Sequence, residues 1–217
     1  MLLIYCYDAY CGWCYGFSSV MNKIAEAYKT QLEIEVLSGN MIPEEEAKPI
    51  AVMAPYIQKA YKHVEERSGI QFGEDFLWHI FNPEKSDWIP SSLLPAIALS
   101  VFKSYYPDQA VSIASDIQYA LNFEGRDLTD KEAYRHLLEK YLIPAETFYE
   151  QLAGEAHKEN ALYEFALVKQ LRVTGFPTVL LQASDSKFYL LAQGYTDYET
   201  LKERIEKVFA ELKTQEK

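Results

Sequence analysis

The sequence predicts an α/β domain: a mixed sheet of about four strands whose second and third strands are separated by a large all-helical insertion. Three observations carry this expectation. A β-prone run at the N-terminus leads directly into helical periodicity and then into an alternating segment. From about Met41 to Val168 the chain shows helical stretches punctuated by proline, with almost no alternation. The C-terminal part returns to two short strands and one amphipathic helix.

Leu2 to Tyr7 is read as a buried first strand, because it is apolar, ends at Asp8 and is far shorter than the roughly 20 residues a membrane helix needs. Cys14, Phe17, Met21, Ile24 and Tyr28 follow at alternating intervals of three and four residues. They form one apolar helical stripe, with Asn22, Lys23, Glu26 and Lys29 off it. Leu32, Ile34 and Val36 then alternate with Glu33 and Glu35 ahead of Leu37 to Gly39, which predicts a strand with one solvated side near a sheet edge. The resulting β-α-β unit is expected to be right-handed and parallel.

The insertion is expected to hold helices over Glu44–Ser68, Ser91–Tyr106, Asp108–Asn122, Asp130–Tyr141 and Pro144–Leu171, the last broken near Gly154. Thr129 with Glu132 reads as a capping box, and Pro144 suits a first helical turn. Glu44-Glu45-Glu46 after Pro43 reads as a dipole-favoured helix start, not a metal site. Strands at Thr178–Gln182 and Phe188–Ala192 flank a polar turn from Ala183 to Lys187. Leu201, Ile205, Val208 and Leu212 then mark a helix opened by a Thr196–Glu199 capping box and closed by a charged tail. No Gly- or Ser-rich linker marks a boundary. Residues 1–40 and 169–217 are therefore expected to build one sheet-based domain, with 41–168 inserted into it.

Composition narrows the function. Across 217 residues, 32 Asp and Glu outweigh 21 Lys and Arg, for a net charge of −11. That excess gives no counterion-release drive toward nucleic acid and no attraction to an anionic membrane, so neither is an expected partner. A hydrophobic fraction of 49% excludes global disorder, and 3 cysteines are too few for a disulfide-stapled scaffold. With Met1 as the natural start, no basic residue before Lys23 and no cleavage signal, the expected location is the cytoplasm.

Two of the cysteines, Cys11 and Cys14, sit between the first strand and the first helix, where geometry makes them unequal. A thiol at a helix N-terminus meets free backbone N–H groups and the positive end of the dipole, which together favour its anionic form by up to about 2 kcal/mol. Cys14, one turn further in, points back toward the sheet. This is the arrangement of a nucleophile and a resolving thiol. Metal binding would need two more ligands, whereas there is no second C-x-x-C and His63, His79, His136 and His157 all fall in the insertion. No metal is expected. An inert buried pair is the other alternative. Cys6, in or just after the first strand, reads as a small buried hydrophobe. His63 and His79 lack a partner at ligand spacing and read as ordinary surface or core histidines.

The strand Leu2–Tyr7, the motif Cys11-Gly12-Trp13-Cys14 and the segment Val173-Thr174-Gly175-Phe176-Pro177-Thr178 resemble the thioredoxin superfamily. A large helical insertion after the second strand is similar to its DsbA-like branch. The run from Asp8 to Phe17 resembles cytoplasmic DsbA-family proteins often called predicted protein-disulfide isomerases. The resemblance implies a thioredoxin-like fold, a Phe176–Pro177 cis peptide opposite Cys11, and catalysis by Cys11, Cys14 and Pro177. Tyr10, Trp13, Tyr15, Thr174 and Phe176 are the expected substrate contacts, with Tyr7 on the same apolar rim. Two departures stand out. The residues between the cysteines, Gly12 and Trp13, bring no charge, so a less oxidising couple is expected than where a histidine stands there. The buried acid many relatives carry six residues before the first cysteine is Tyr5 here, which leaves Asp8 either as the local proton-transfer group or as a turn residue.

The expected activity is therefore thiol-disulfide oxidoreductase or isomerase chemistry on proteins or small thiols, with no cofactor beyond the redox-active cysteine pair and glutathione or another low-molecular-weight thiol as co-substrate. Kappa-class glutathione transferases and 2-hydroxychromene-2-carboxylate isomerases share the fold and usually have serine at the nucleophile position. Their reactions need no resolving thiol. A redox-sensitive protein adaptor is the non-enzymatic alternative.

Overall fold

A computed structural model describes residues 1–215; Glu216 and Lys217, the end of the charged tail, lie outside the described residues. The sheet has four strands in the order β2-β1-β3-β4, with β1 at Leu2–Tyr7, β2 at Glu33–Ser38, β3 at Thr178–Ser184 and β4 at Lys187–Gln193. The β1–β2 pair is parallel, and the β1–β3 and β3–β4 pairs are antiparallel. The helices are α1 (Gly12–Tyr28), α2 (Ala54–Ser68), α3 (Glu74–Phe81), α4 (Leu93–Tyr105), α5 (Ala110–Asn122), α6 (Arg135–Lys140), α7 (Ala145–Ala153), α8 (Glu155–Gln170) and α9 (Tyr198–Gln215). The mixed α/β sheet with helices between its second and third strands is the predicted fold. No helix among the described residues is long and apolar enough to cross a membrane.

Successive side chains of β1 point to opposite faces of the sheet, and that alternation divides the core. Leu3, Tyr5 and Tyr7 enter the larger cluster, shared with Phe17, Met21 and Ile24 of α1 and with Leu201 and Ile205 of α9. Ile4 and Cys6 face the other way, into a smaller cluster with Leu37, Leu180 and Val168 of α8. Both β1 faces are covered, which is why the strand reads as an uninterrupted apolar run.

Several local expectations are corrected. Prolines 43, 49 and 55 cut the helix expected over Glu44–Ser68 into two short 3-10 turns and α2, so the three glutamates form one such turn. Helix α3 was not predicted. The helix expected over Asp130–Tyr141 begins as a 3-10 turn at Lys131–Tyr134. The two capping boxes are replaced by aspartates: Asp130 accepts from the Glu132 N–H, Thr129 turns its hydroxyl to Asp127, and Asp197 accepts from the Thr200 N–H. A carboxylate accepts a backbone N–H with full charge, so it prevails over the neighbouring hydroxyl. Pro144 stands at the N-cap, and the chain breaks at Gly154.

One set of contacts ties the insertion to the frame, and a second closes the insertion on itself. Lys103 of α4 donates to the Val36 carbonyl and pairs with Glu164 of α8, whose second oxygen accepts from the Ser38 N–H. Gly73, before α3, donates to the Asn122 carbonyl at 2.9 Å, and a Cβ there would lie 1.7 Å from the Phe123 carbonyl oxygen. Backbone cannot swing aside as a side chain can. Gly73→Ala is accordingly expected to lower unfolding free energy by about 3 kcal/mol, readable as a shift in the urea midpoint.

Strand register places the site. Cys6 lies opposite Thr178 in the antiparallel β1–β3 pair, so the chain leaving β1 passes Pro177 and Phe176. Tyr7 lies opposite Ser38 in the parallel pair, which brings Gly39 alongside with its N–H donating to the Tyr7 carbonyl.

Candidate functional site

The turn between β1 and α1 is built around Asp8. Its Oδ1 accepts from the Tyr10 N–H at 3.0 Å, its Oδ2 from the Met41 N–H at 2.9 Å, and its carbonyl from the Cys11 N–H at 3.1 Å. Gln118 of α5, itself buried, donates to the same carbonyl at 3.2 Å and toward the Cys11 carbonyl at 3.5 Å. The turn is thus fixed from the frame, from the start of the insertion and from α5.

Cys11 is the N-cap of α1, with extended backbone (φ −82°, ψ 106°), and its sulfur accepts from the Cys14 N–H at 3.2 Å. The same sulfur faces the Phe176 carbonyl at 3.5 Å, toward which the thiol donates. Cys11 is 6% exposed and Cys14 fully buried. Burial pushes the Cys14 thiol well above its ordinary range, and the neighbouring Cys11 sulfur acts in the same direction. All three cysteines are free thiols. The pair is therefore asymmetric: one sulfur at a cleft, one beneath it held protonated.

Burial raises the Asp8 carboxyl from its ordinary 3.8 to about 6, against the opposing pull of the Met41 and Tyr10 N–H groups and the Ser92 hydroxyl. The folded chain holds this proton more tightly than the unfolded one. Its stabilising contribution is complete below about pH 3.8 and is lost as pH rises through 6, a difference worth about 3 kcal/mol. Urea unfolding of wild type and Asp8→Asn across pH 4 to 8 is expected to show the wild-type stability falling relative to the variant, with the change centred between those values. Parallel pH profiles contradict it.

Three depressions meet at Phe176. An apolar cleft of about 190 Å³ opens beside Cys11 against α2 and α3, walled by Tyr10, Trp13, Ile57, Tyr61 and Phe72. A groove of about 740 Å³ runs on the other side of Phe176, past Thr174 and Gly175, with Lys169 and Arg172 on its wall. A third, of about 280 Å³, lies between Trp13, Tyr195, His63 and Arg67. In a chain of charge −11, Lys169, Arg172 and Arg67 make no ion pair among the described residues.

The predicted site residues separate into those at these depressions and those away from them. Cys11, Trp13, Tyr10 and Phe176 line the cleft, Thr174 lines the groove and accepts from the Gln193 amide at 2.9 Å, and the Phe176–Pro177 peptide bond is cis. Tyr15 belongs elsewhere: its ring meets Phe72 edge-on and its hydroxyl donates to the Gln71 carbonyl, so it anchors the insertion and lines none of the three depressions. Tyr7 is core, not rim. Cys6 lies on the far sheet face, where burial pushes its thiol up to about 12. His79 stacks on Trp88 at 3.8 Å and bonds Ser86, a structural setting.

Sequence reasoning missed His63, Arg67, Lys169, Arg172, Gln118 and Tyr195. His63 reaches Trp13 edge-on at 5.5 Å between ring centres. The four-residue spacing of His63 and Arg67 puts that pair on one face of α2, a signal visible in the sequence. Lys169 lies in the last turn of α8 and Arg172 just past its end with φ 58°, so their three-residue spacing is not that of one helical face. No group of three or more His, Cys, Asp or Glu residues placed to hold a metal occurs among the described residues.

A family model for the DSBA-like thioredoxin domain matches residues 3–206. Among solved structures, the chain is similar to a provisionally named protein disulfide isomerase from Nitrosomonas europaea, with 21% identity, TM-score 0.82, and 97% of this chain and 98% of that one covered. It is also similar to the cytosolic disulfide reductase DsbM from Pseudomonas aeruginosa, with 23% identity, TM-score 0.74 and full coverage of both chains; DsbM has also been solved with glutathione. A 2-hydroxychromene-2-carboxylate isomerase shares the fold at 15% identity and TM-score 0.65, covering 100% of this chain and 98% of that one. No curated protein matches the chain by sequence. At these identities the structural likenesses speak for the fold.

Proposed function

The chain belongs to the DSBA-like thioredoxin domain family, and from that premise we propose that it is a thiol-disulfide oxidoreductase with Cys11 as nucleophile and Cys14 as resolving thiol. One observation carries the reading: Cys11 caps α1 at the mouth of a cleft while Cys14 lies one turn below it, fully buried.

The Cys11 thiolate attacks one sulfur of a substrate disulfide, forming a Cys11–substrate mixed disulfide and expelling the other substrate sulfur as a thiolate. Cys14 then gives up its proton and attacks the Cys11 sulfur. The Cys11–Cys14 disulfide forms, the second substrate thiolate leaves, and the substrate gains the two electrons that the pair loses. Asp8, with its carboxyl near 6, is the local group suited to carry the Cys14 proton. Reversal against a dithiol substrate runs the pair in the oxidising direction. The Phe176 carbonyl beside Cys11 and the Thr174–Gly175 segment along the groove are the backbone an extended peptide would pair with.

A small thiol suits the same site as co-substrate. The unpaired Lys169 and Arg172, and Arg67 across the site, favour an anionic one, and glutathione, with two carboxylates, is the first candidate. No resident cofactor or metal is proposed. The cytoplasm is the proposed compartment, in keeping with the sparse cysteines and the likeness to a cytosolic reductase. An isomerase or transferase reaction of the serine-nucleophile type gives Cys14 no role.

Insulin reduction and the refolding of scrambled ribonuclease, each supplied with glutathione, test the reading. Turnover of at least one by wild type and of neither by Cys11→Ser is the expected outcome; turnover of neither by wild type sinks it.

A further inference from the structure

Gly39 is buried directly after β2, its N–H bonded to the Tyr7 carbonyl at 2.6 Å. A Cβ at this position would lie 2.2 Å from Phe176 Cζ, 2.6 Å from Cε1 and 2.8 Å from Cε2. The tip of the Phe176 ring therefore rests on the Gly39 backbone. The contact explains the glycine, because Gly39 is not among the residues with positive φ and its backbone would accept any side chain.

The ring held there borders all three depressions, and its own carbonyl faces the Cys11 sulfur. On one side lies the apolar cleft, on the other the groove with Lys169 and Arg172. We propose that Gly39 is a positioning residue for the site: by leaving room for the Phe176 ring it holds the wall that separates the apolar cleft from the cationic groove and shields Cys11 between them. An alanine displaces the ring tip. A side chain's far end can rotate away where backbone cannot, so the fold survives while the wall opens.

The proposal rests on the oxidoreductase reading for its second readout only. The first is the rate at which iodoacetamide alkylates Cys11 in the full chain, with folding checked by circular dichroism and thermal midpoint. Gly39→Ala is expected to raise that rate at least about five-fold. Leucine lacks the distal ring atoms that meet Gly39, so adding Gly39→Ala to Phe176→Leu is expected to change the rate by less than about two-fold. The second readout is disulfide turnover, where Gly39→Ala is expected to raise KM about ten-fold with kcat changed less than about two-fold, as for lost binding without lost chemistry.

An unchanged alkylation rate in folded Gly39→Ala overturns the proposal. So does an equal acceleration in both backgrounds, which places the effect of Gly39 elsewhere than on the ring. If Gly39→Ala does not fold, recovery of folding in the Gly39→Ala/Phe176→Leu pair supports the proposal and failure of the pair overturns it. A wild type that turns over no disulfide removes the proposed function, yet leaves the alkylation comparison to decide this one.

Discussion

Cys11→Ser is expected to lower disulfide exchange by at least about a thousandfold, whereas Cys14→Ser keeps the first step and accumulates a mixed disulfide on Cys11. The difference follows from position. Cys11 lines the cleft and faces the Phe176 carbonyl, so an incoming disulfide meets it first. Cys14 is fully buried with its thiol held protonated, and it gains access only to the Cys11 sulfur one turn away. Removing the nucleophile stops both steps, and removing the resolving thiol stops only the second. Mass spectrometry of the Cys14→Ser protein after exposure to oxidised glutathione reads this directly. The adduct belongs on Cys11, and none belongs on Cys6, which lies on the opposite sheet face. An adduct on Cys14 in the Cys11→Ser protein contradicts the order of the steps.

Lys103→Met is expected to cost about 3 kcal/mol of stability. The Lys103 and Glu164 side chains are 21% and 10% exposed, so the pair is mostly withdrawn from water. Removing the cation leaves the Glu164 carboxylate with the Ser38 N–H as its remaining partner and leaves the Val36 carbonyl without its lysine donor. Most of the loss is the penalty for an uncompensated buried charge. The double variant Lys103→Met/Glu164→Gln removes that charge while keeping an acceptor for Ser38, and it is expected to recover more than half of the loss. Urea midpoints of the wild type, both single variants and the double variant close the cycle. Additive losses contradict a coupled pair.

The sheet and the cysteine site were legible because each rests on a local signal. Leu2 to Tyr7 is apolar on both faces, the Cys14-to-Tyr28 stripe has helical spacing, and the two cysteines stand where strand gives way to helix. Elements fixed by tertiary contact were not legible. Helix α3 spans eight residues with Phe76 and Ile80 as its buried pair while Trp78 and Phe81 stay exposed, too short and too evenly apolar to announce a face. The caps went to Asp130 and Asp197 because adjacent side chains compete for the same N–H, a contest that geometry decides.

The cationic residues around the site illustrate the same limit. His63 and Arg67 share a face of α2, yet only the packing of the insertion against the frame turns that face toward Trp13. The spacing of Lys169 and Arg172 is visible, but their groove exists only once β3 has paired with β1. Tyr15 misled for the opposite reason. One position beyond Cys14 on α1, its ring is carried toward Phe72 and away from the cleft.

The central claim is that Cys11 and Cys14 form one exchangeable couple, and equilibrium titration of the pair in defined glutathione buffers tests it most directly. The account predicts a single two-electron transition, absent in Cys11→Ser, at about −180 mV or lower because neither Gly12 nor Trp13 supplies a charge beside the Cys11 sulfur. Two thiols that stay separate across the whole buffer range would contradict it.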